Sequence, residues 1–187
     1  MKYLKKILIL ALILVGCKSV DVKRINDFYR DKYPKINSYK FTSHKEKARS
    51  KLLHFYNKES KKNNSGFAMI EYFRYPNGNF DELNTETFFY ENDSLVKAYY
   101  LKSDKKTKVE NITNELAIDT KKTNDLILEL LVKGKYEKLS QLHKESEYAV
   151  SDAGLIYVTF LDKNLDVLQG YMFNEFMVNE AGASLSK

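Results

Sequence analysis

The sequence predicts an α+β domain, an antiparallel sheet of about five to six strands with helices packed on one face. Three observations predict it. The hydrophobic periods run helix, three or four strands, two helices, two strands. Two pairs of strand-like segments are joined by turns too short for a crossover, which makes them antiparallel. The chain also holds 14 Tyr and 11 Phe but no Trp, and aromatic richness favours sheet.

The first residues have a different character. Lys2, Lys5 and Lys6 form a short cationic start, and Ile7 to Val15 is an apolar run without a polar residue. Gly16 and Cys17 follow, and the polar chain begins at Lys18. Positive, then apolar, then small is the layout of a secretory signal peptide. The run is shorter than the roughly 20 residues a transmembrane helix needs. Leu14-Val15-Gly16-Cys17 resembles the bacterial lipobox. That resemblance implies cleavage between Gly16 and Cys17 and a diacylglyceryl group on the Cys17 sulfur, often joined by acylation of the new amino group. It covers only the first 17 residues. Cys17 is the only cysteine, so no disulfide forms within the chain, and thioether formation removes an unpaired thiol from an exported protein. Two or three acyl chains hold a protein firmly, at about 0.8 kcal/mol per buried CH₂.

The resulting division is a signal peptide over 1–16, a lipidated Cys and tether over 17–42, and one globular domain over 43–187. Within the tether, Ile25, Phe28 and Tyr29 form one face of a short helix from about 22 to 31, stopped by Pro34. Fully extended, residues 18–42 would reach about 80 Å. Ser43-His44-Lys45-Glu46 has the form of a capping box and opens a helix to about residue 60. Its apolar stripe is Ala48, Leu52, Phe55 and Tyr56, and the opposite face carries Lys45, Lys47, Arg49 and Lys51.

The period then changes. Phe67 to Tyr75 is apolar on both faces apart from Glu71 and Arg74, which suits an inner strand. Thr85–Glu91 and Leu95–Leu101 are two more strands around the tight turn Asn92-Asp93-Ser94. Val109–Ile118 reads as an edge-like strand. Thr123 caps a helix with the stripe Leu126, Ile127, Leu130 and Leu131, broken by Gly134. Tyr136, Leu139 and Leu142 mark a second helix. Leu155–Leu161 and Val167–Phe176 form a last hairpin around Asp162-Lys163-Asn164, and the tail from Asn179 frays.

Charge is uneven. The full chain carries +6, and loss of Lys2, Lys5 and Lys6 leaves +3. Residues 18–64 hold 14 Lys/Arg against 5 Asp/Glu, whereas residues 65–187 hold 14 against 20. The basic end is the lipid-proximal end, and basic residues near anionic headgroups attract by about 1 kcal/mol each.

Chemistry is sparse. His44 and His54 lie ten residues apart on one helix, about 15 Å along its axis, too far to share a metal. His143 is the third and last histidine. Asp81-Glu82, Glu145 and Glu147 are acidic groups at turns. Asp162-Lys163-Asn164-Leu165-Asp166 has calcium-like spacing without the glycine and distant glutamate of an EF-hand. There is no Gly-x-Ser-x-Gly elbow and no glycine-rich phosphate loop. The sequence therefore predicts no catalytic or metal site, no cofactor and no nucleic-acid partner. Aromatic clusters on strands must place rings on both sheet faces. Tyr72, Tyr90 and Tyr100 are the expected solvent-facing binding surface. The leading expectation is a non-enzymatic binding domain in the cell envelope, anchored in the membrane through lipidated Cys17 and facing an envelope protein partner, on the outer membrane toward the periplasm. The competing classes are an immunity-type lipoprotein that neutralises a periplasmic toxin, an accessory part of an outer-membrane complex, and an envelope-polymer hydrolase.

Overall fold

The computed structural model describes residues 22–33, 41–59, 66–74, 83–92, 94–103, 108–111, 118–132, 154–175 and 178. The elements are α1 (Lys23–Lys32), α2 (Phe41–Glu59), β1 (Phe67–Arg74), β2 (Leu83–Glu91), β3 (Ser94–Ser103), β4 (Lys108–Asn111), α3 (Ile118–Val132), β5 (Leu155–Leu161) and β6 (Val167–Asn174). The strands form one six-stranded antiparallel sheet in the order β4-β3-β2-β1-β5-β6. This is the α+β class the sequence predicts.

β1 sits between β2 and β5, and every residue from Phe67 to Phe73 is buried. A strand apolar on both sides has no solvent face to turn outward, so it takes the middle. Register divides the sheet cleanly. Met69 stands beside Phe89 and Thr159, and Glu71 beside Thr87 and Tyr157. On the other face Ile70 stands beside Phe88 and Val158, and Tyr72 beside Glu86 and Ile156.

Each face has its own core. Ile25, Tyr29 and Tyr33 of the α1 region and Leu52, Leu53 and Tyr56 of α2 join Met69, Phe73, Phe89 and Tyr157. Ile127 and Leu128 of α3 join Ile70, Tyr72, Phe88, Val158 and Phe173 on the opposite face. The expectation that all helices share one face therefore holds for α1 and α2 but not for α3. The physical reason is the second apolar face of β1, which needs its own cover.

The expected tether also changes. Its short helix forms, as α1, but it is part of the domain: Ile25 is fully buried, and Tyr29 and Tyr33 are nearly so. The Tyr29 hydroxyl lies 3.0 Å from the Val158 carbonyl and 2.9 Å from Thr159 Oγ1. Lys32 donates to the Gly170 carbonyl at 2.6 Å. The globular part therefore starts by residue 22 rather than 43. An amphipathic stripe of Ile25 and Tyr29 is stable only against apolar surface, and β5 and β6 supply it. Gly170 makes room, because a Cβ there would stand 2.5 Å from Phe28 Cε1.

Other boundaries shift modestly. α2 begins at Phe41, so Ser43 lies inside the helix and is not its N-cap. Lys45 and Arg49, expected on the solvent face, are buried, while Lys47 is exposed. Positions 45, 49, 52, 53 and 56 recur at helical spacing, so the buried stripe is wider than its apolar members show. Of the expected strand to Ile118, β4 covers Lys108–Asn111, residues 112–117 lie outside the described residues, and Ile118 belongs to α3. Thr123 is consequently inside α3 and does not cap it. The predicted helix around Tyr136–Leu142 and the tail from Asn179 lie outside the described residues. The Asp162-Lys163-Asn164 turn forms as expected, with Asp162 Oδ1 accepting from the Asn164 and Asp166 amides at 2.8 and 2.9 Å.

Gly170→Ala drives a methyl group into the Phe28 ring and loosens α1 from β6. The expected loss is about 1–3 kcal/mol in urea unfolding, partly recovered by adding Phe28→Ala. An unchanged midpoint would separate α1 docking from this contact.

Candidate functional site

Two polar clusters interrupt the cores, one on each face. Under α1 and α2, Glu71 of β1 is fully buried and faces Arg49 of α2, itself 3 % exposed. Arg49 Nε donates to both Glu71 carboxylate oxygens, at 3.1 and 2.8 Å. Its NH1 donates to Asn26 Oδ1 of α1 at 2.6 Å. The guanidinium lies over the rings of Tyr29 and Tyr157, 5.2 and 5.3 Å from their centroids. A guanidinium suits this box, since it meets the carboxylate with charge-assisted hydrogen bonds and tolerates neighbouring aromatic rings. Lys45, one turn earlier on α2, holds its ammonium 3.5 Å from the Tyr157 hydroxyl and over the Phe73 ring. Burial, then the charge of Arg49, pushes the Lys45 amine down to about 8, against the pull of Glu71. Burial pushes the Tyr157 phenol up to about 12. This cluster is sealed from solvent and clamps two helices to the sheet.

The opposite face carries the residues expected to form a binding surface. Tyr72, Glu86 and Tyr100 stand in one cross-strand row, and Tyr90 lies on the same face. The three tyrosines do share a face, but they do not form an open surface. Tyr72 is 1 % exposed and Tyr90 4 %, and only Tyr100 is half-buried. Tyr72 and Tyr90 belong to the core that includes Ile127 and Leu128 of α3. The Tyr72 hydroxyl donates to Asn124 Oδ1 of α3 at 2.7 Å. Burial pushes the Tyr90 phenol up to about 12.

Beside Tyr72 the face turns polar and partly open. Arg74 Nε donates to both Glu175 oxygens at 3.1 and 2.9 Å, and its NH1 lies 2.8 Å from Glu86 Oε2. The guanidinium stands 5.0 Å from the Tyr72 ring centroid. Thr120 of α3 lies 3.5 Å from the same Glu86 oxygen. Gly154 leaves the space that Glu175 fills, and the Glu175 amide donates to the Gly154 carbonyl at 2.9 Å. About a third of the Arg74 side chain and a fifth of each glutamate reach solvent. Two carboxylates surround one guanidinium, so the exposed fringe is net acidic. Arg74 already engages both Glu175 oxygens and Glu86 Oε2.

Gly16 and Cys17 lie outside the described residues, as do His143, Asp81, Glu82, Glu145 and Glu147. His44 is half-buried and His54 exposed. Among the described residues no group of three or more His, Cys, Asp or Glu is placed to hold a metal ion. Sequence reasoning noticed Glu71 and Arg74 as charges in an apolar strand. It did not find their partners, which lie 22 residues before Glu71 and 101 after Arg74. No protein-family model matches the chain, and neither a curated protein nor a solved structure is significantly similar to it.

Removing one member of the Arg49–Glu71 pair leaves an uncompensated buried charge. Glu71→Gln or Arg49→Met is expected to cost about 3–5 kcal/mol, and the double variant Arg49→Met/Glu71→Leu much less than the two together. Additive losses in denaturant unfolding would contradict a coupled pair.

Lys45 makes stability depend on pH. Its folded value of about 8 lies below its ordinary 10.5. Between those values the unfolded chain binds the extra proton, so stability rises with pH across that window. The expected rise is about 1–3 kcal/mol in unfolding free energy, and Lys45→Met should flatten it. An equal slope in that variant would assign the effect to another group.

Proposed function

We propose that this protein is a lipid-anchored lipoprotein of the cell envelope whose domain is a non-enzymatic binding module. One observation carries the reading: a cationic start and an apolar run end in Leu14-Val15-Gly16-Cys17, with Cys17 the only cysteine of the chain. The pattern has each part a lipoprotein signal needs in the order it needs them. The membrane is the first partner, reached through Cys17. Lys18 at the next position, rather than Asp, favours the outer membrane facing the periplasm.

The second partner is a protein of the envelope. Tyr100 and the acidic fringe of Arg74, Glu86 and Glu175 offer an aromatic anchor beside charge, a combination that recurs at interfaces. The excess of acidic residues after position 64 favours a basic partner, and electrostatic attraction speeds such encounters. This charge asymmetry also supports the immunity-type reading, in which the partner is an incoming basic toxin.

Mass spectrometry of the purified chain should find a diacylglyceryl-modified Cys17 as the first residue. Cys17→Ser should remain unacylated and leave the detergent phase. A mature chain that retains Met1 would end the lipoprotein reading. In vivo crosslinking of the acylated protein should then capture one dominant protein, and Tyr100→Ser should reduce that capture several-fold without changing the unfolding midpoint. Undiminished capture would remove Tyr100 from the binding surface.

A further inference from the structure

The sheet has two ends, and one collects several otherwise unrelated features. The N-terminus of α1 is fixed there by the ion pair of Arg24 with Asp166, in the β5–β6 turn. The start of β1 is there, with Phe67 beside Leu161. So is the β2–β3 hairpin, since Ala68 pairs with Tyr90, and Tyr90 with Leu95. α2 ends there too, where Tyr56 bonds Glu91 and Lys97 lies 3.3 Å from Glu59.

Both hairpins are irregular at this end. On β3, Lys97 pairs with Phe89 and Leu95 with Tyr90, so Val96 is an extra residue. On β6, Gln169 pairs with Phe160 and Val167 with Leu161, so Leu168 is an extra residue. A bulge leaves its extra residue unpaired and re-aims the side chains around it. Val96 is 40 % exposed, Leu168 69 % and the adjoining Leu95 39 %. Among the described residues these three are the exposed large apolar side chains, and all lie at this one end.

The anchor sits close by. Five residue steps separate Cys17 from Val22, the first described residue, and span at most about 18 Å. The packing of α1 removes the long spacer that a free segment to residue 42 would give. On the lipoprotein reading, on which this inference rests, the N-terminus of α1 is held within that reach of the lipid headgroups, and it lies at the end of the sheet that bears Leu95, Val96 and Leu168.

We propose that this end of the sheet is a membrane-docking surface. Leu95, Val96 and Leu168 enter the interfacial zone of the bilayer that holds the Cys17 acyl chains, and exposed Lys163 in the β5–β6 turn faces anionic headgroups. The sheet then stands with its strands rising from the membrane, and the opposite end points away from it.

The test uses the full lipidated protein in vesicles of phosphatidylethanolamine and phosphatidylglycerol. With Cys17 blocked as a thioether, Leu95→Cys, Val96→Cys, Leu168→Cys and Lys102→Cys each accept one environment-sensitive fluorophore. Position 102, at the far end of β3, is the control. Probes at 95, 96 and 168 should shift to the blue and lose about half their emission to nitroxide-labelled lipid, as expected of groups within about 5–10 Å of the acyl boundary. The probe at 102 should do neither. With acylation of Cys17 verified by mass, four probes that all remain aqueous, or quenching at 102 instead, would overturn the proposal. Probes that are aqueous in vesicles but shielded in native envelopes would overturn it in favour of a protein partner. Absence of the acyl mass would refute the lipoprotein reading itself, and the docking surface with it.

Discussion

The ion pair of Arg49 with Glu71 sets the terms for one half of the molecule. A carboxylate in the middle of a central strand has no route to water, and its desolvation is offset only by a charge held in good geometry. Arg49 supplies that charge from α2. Its NH1 donates to Asn26 on α1, and the rings of Tyr29 of α1 and Tyr157 of β5 pack beside it. One guanidinium thereby joins two helices and two strands. Slippage of α2 by a turn, or of β1 by one residue, would strand a charge in an apolar layer. The pair adds little net stability over a well-packed apolar substitute, but it makes wrong registers expensive.

The opposite face reaches order by other means. Its core is apolar and aromatic, with Tyr72 against Phe88 at 5.9 Å edge to face. Apart from the buried Tyr72–Asn124 bond, its charge gathers at the margin, where Arg74, Glu86 and Glu175 meet partly in solvent. The two clusters differ in kind as well as place. The buried one is covered by helices and closed to solvent. The marginal one is reachable and stands next to the half-exposed Tyr100, so recognition is better placed there.

Much of the fold was legible because local pattern and tertiary position agreed. β5 ran from Leu155 to Leu161 as expected, since a short apolar run bounded by Gly154 and Asp162 leaves little choice. β1 was readable as an inner strand from its lack of a polar face. What sequence hid was the identity of surfaces that lie far apart along the chain. The stripe of Ile25, Phe28 and Tyr29 was visible, but nothing nearby showed that β6 and Gly170 would receive it. Lys45 and Arg49 read as solvent-facing because charge usually marks the wet side of a helix. Only the lone Glu71 in an apolar strand signalled that a cation had to come inside. Tyr72 and Tyr90 looked like an open surface because the helix that covers them was assigned to the other side.

The contacts of α1 also order events in time. Tyr29 reaches Val158 across 129 positions, and Lys32 reaches Gly170 across 138. A chain that emerges amino end first from a ribosome makes α1 early and finds its seat late. Until β5 and β6 have followed, the stripe of Ile25 and Tyr29 has no apolar floor, and the loop to be closed spans most of the polypeptide. Closing so distant a contact is slow. A helix that forms early is therefore among the last to be buried.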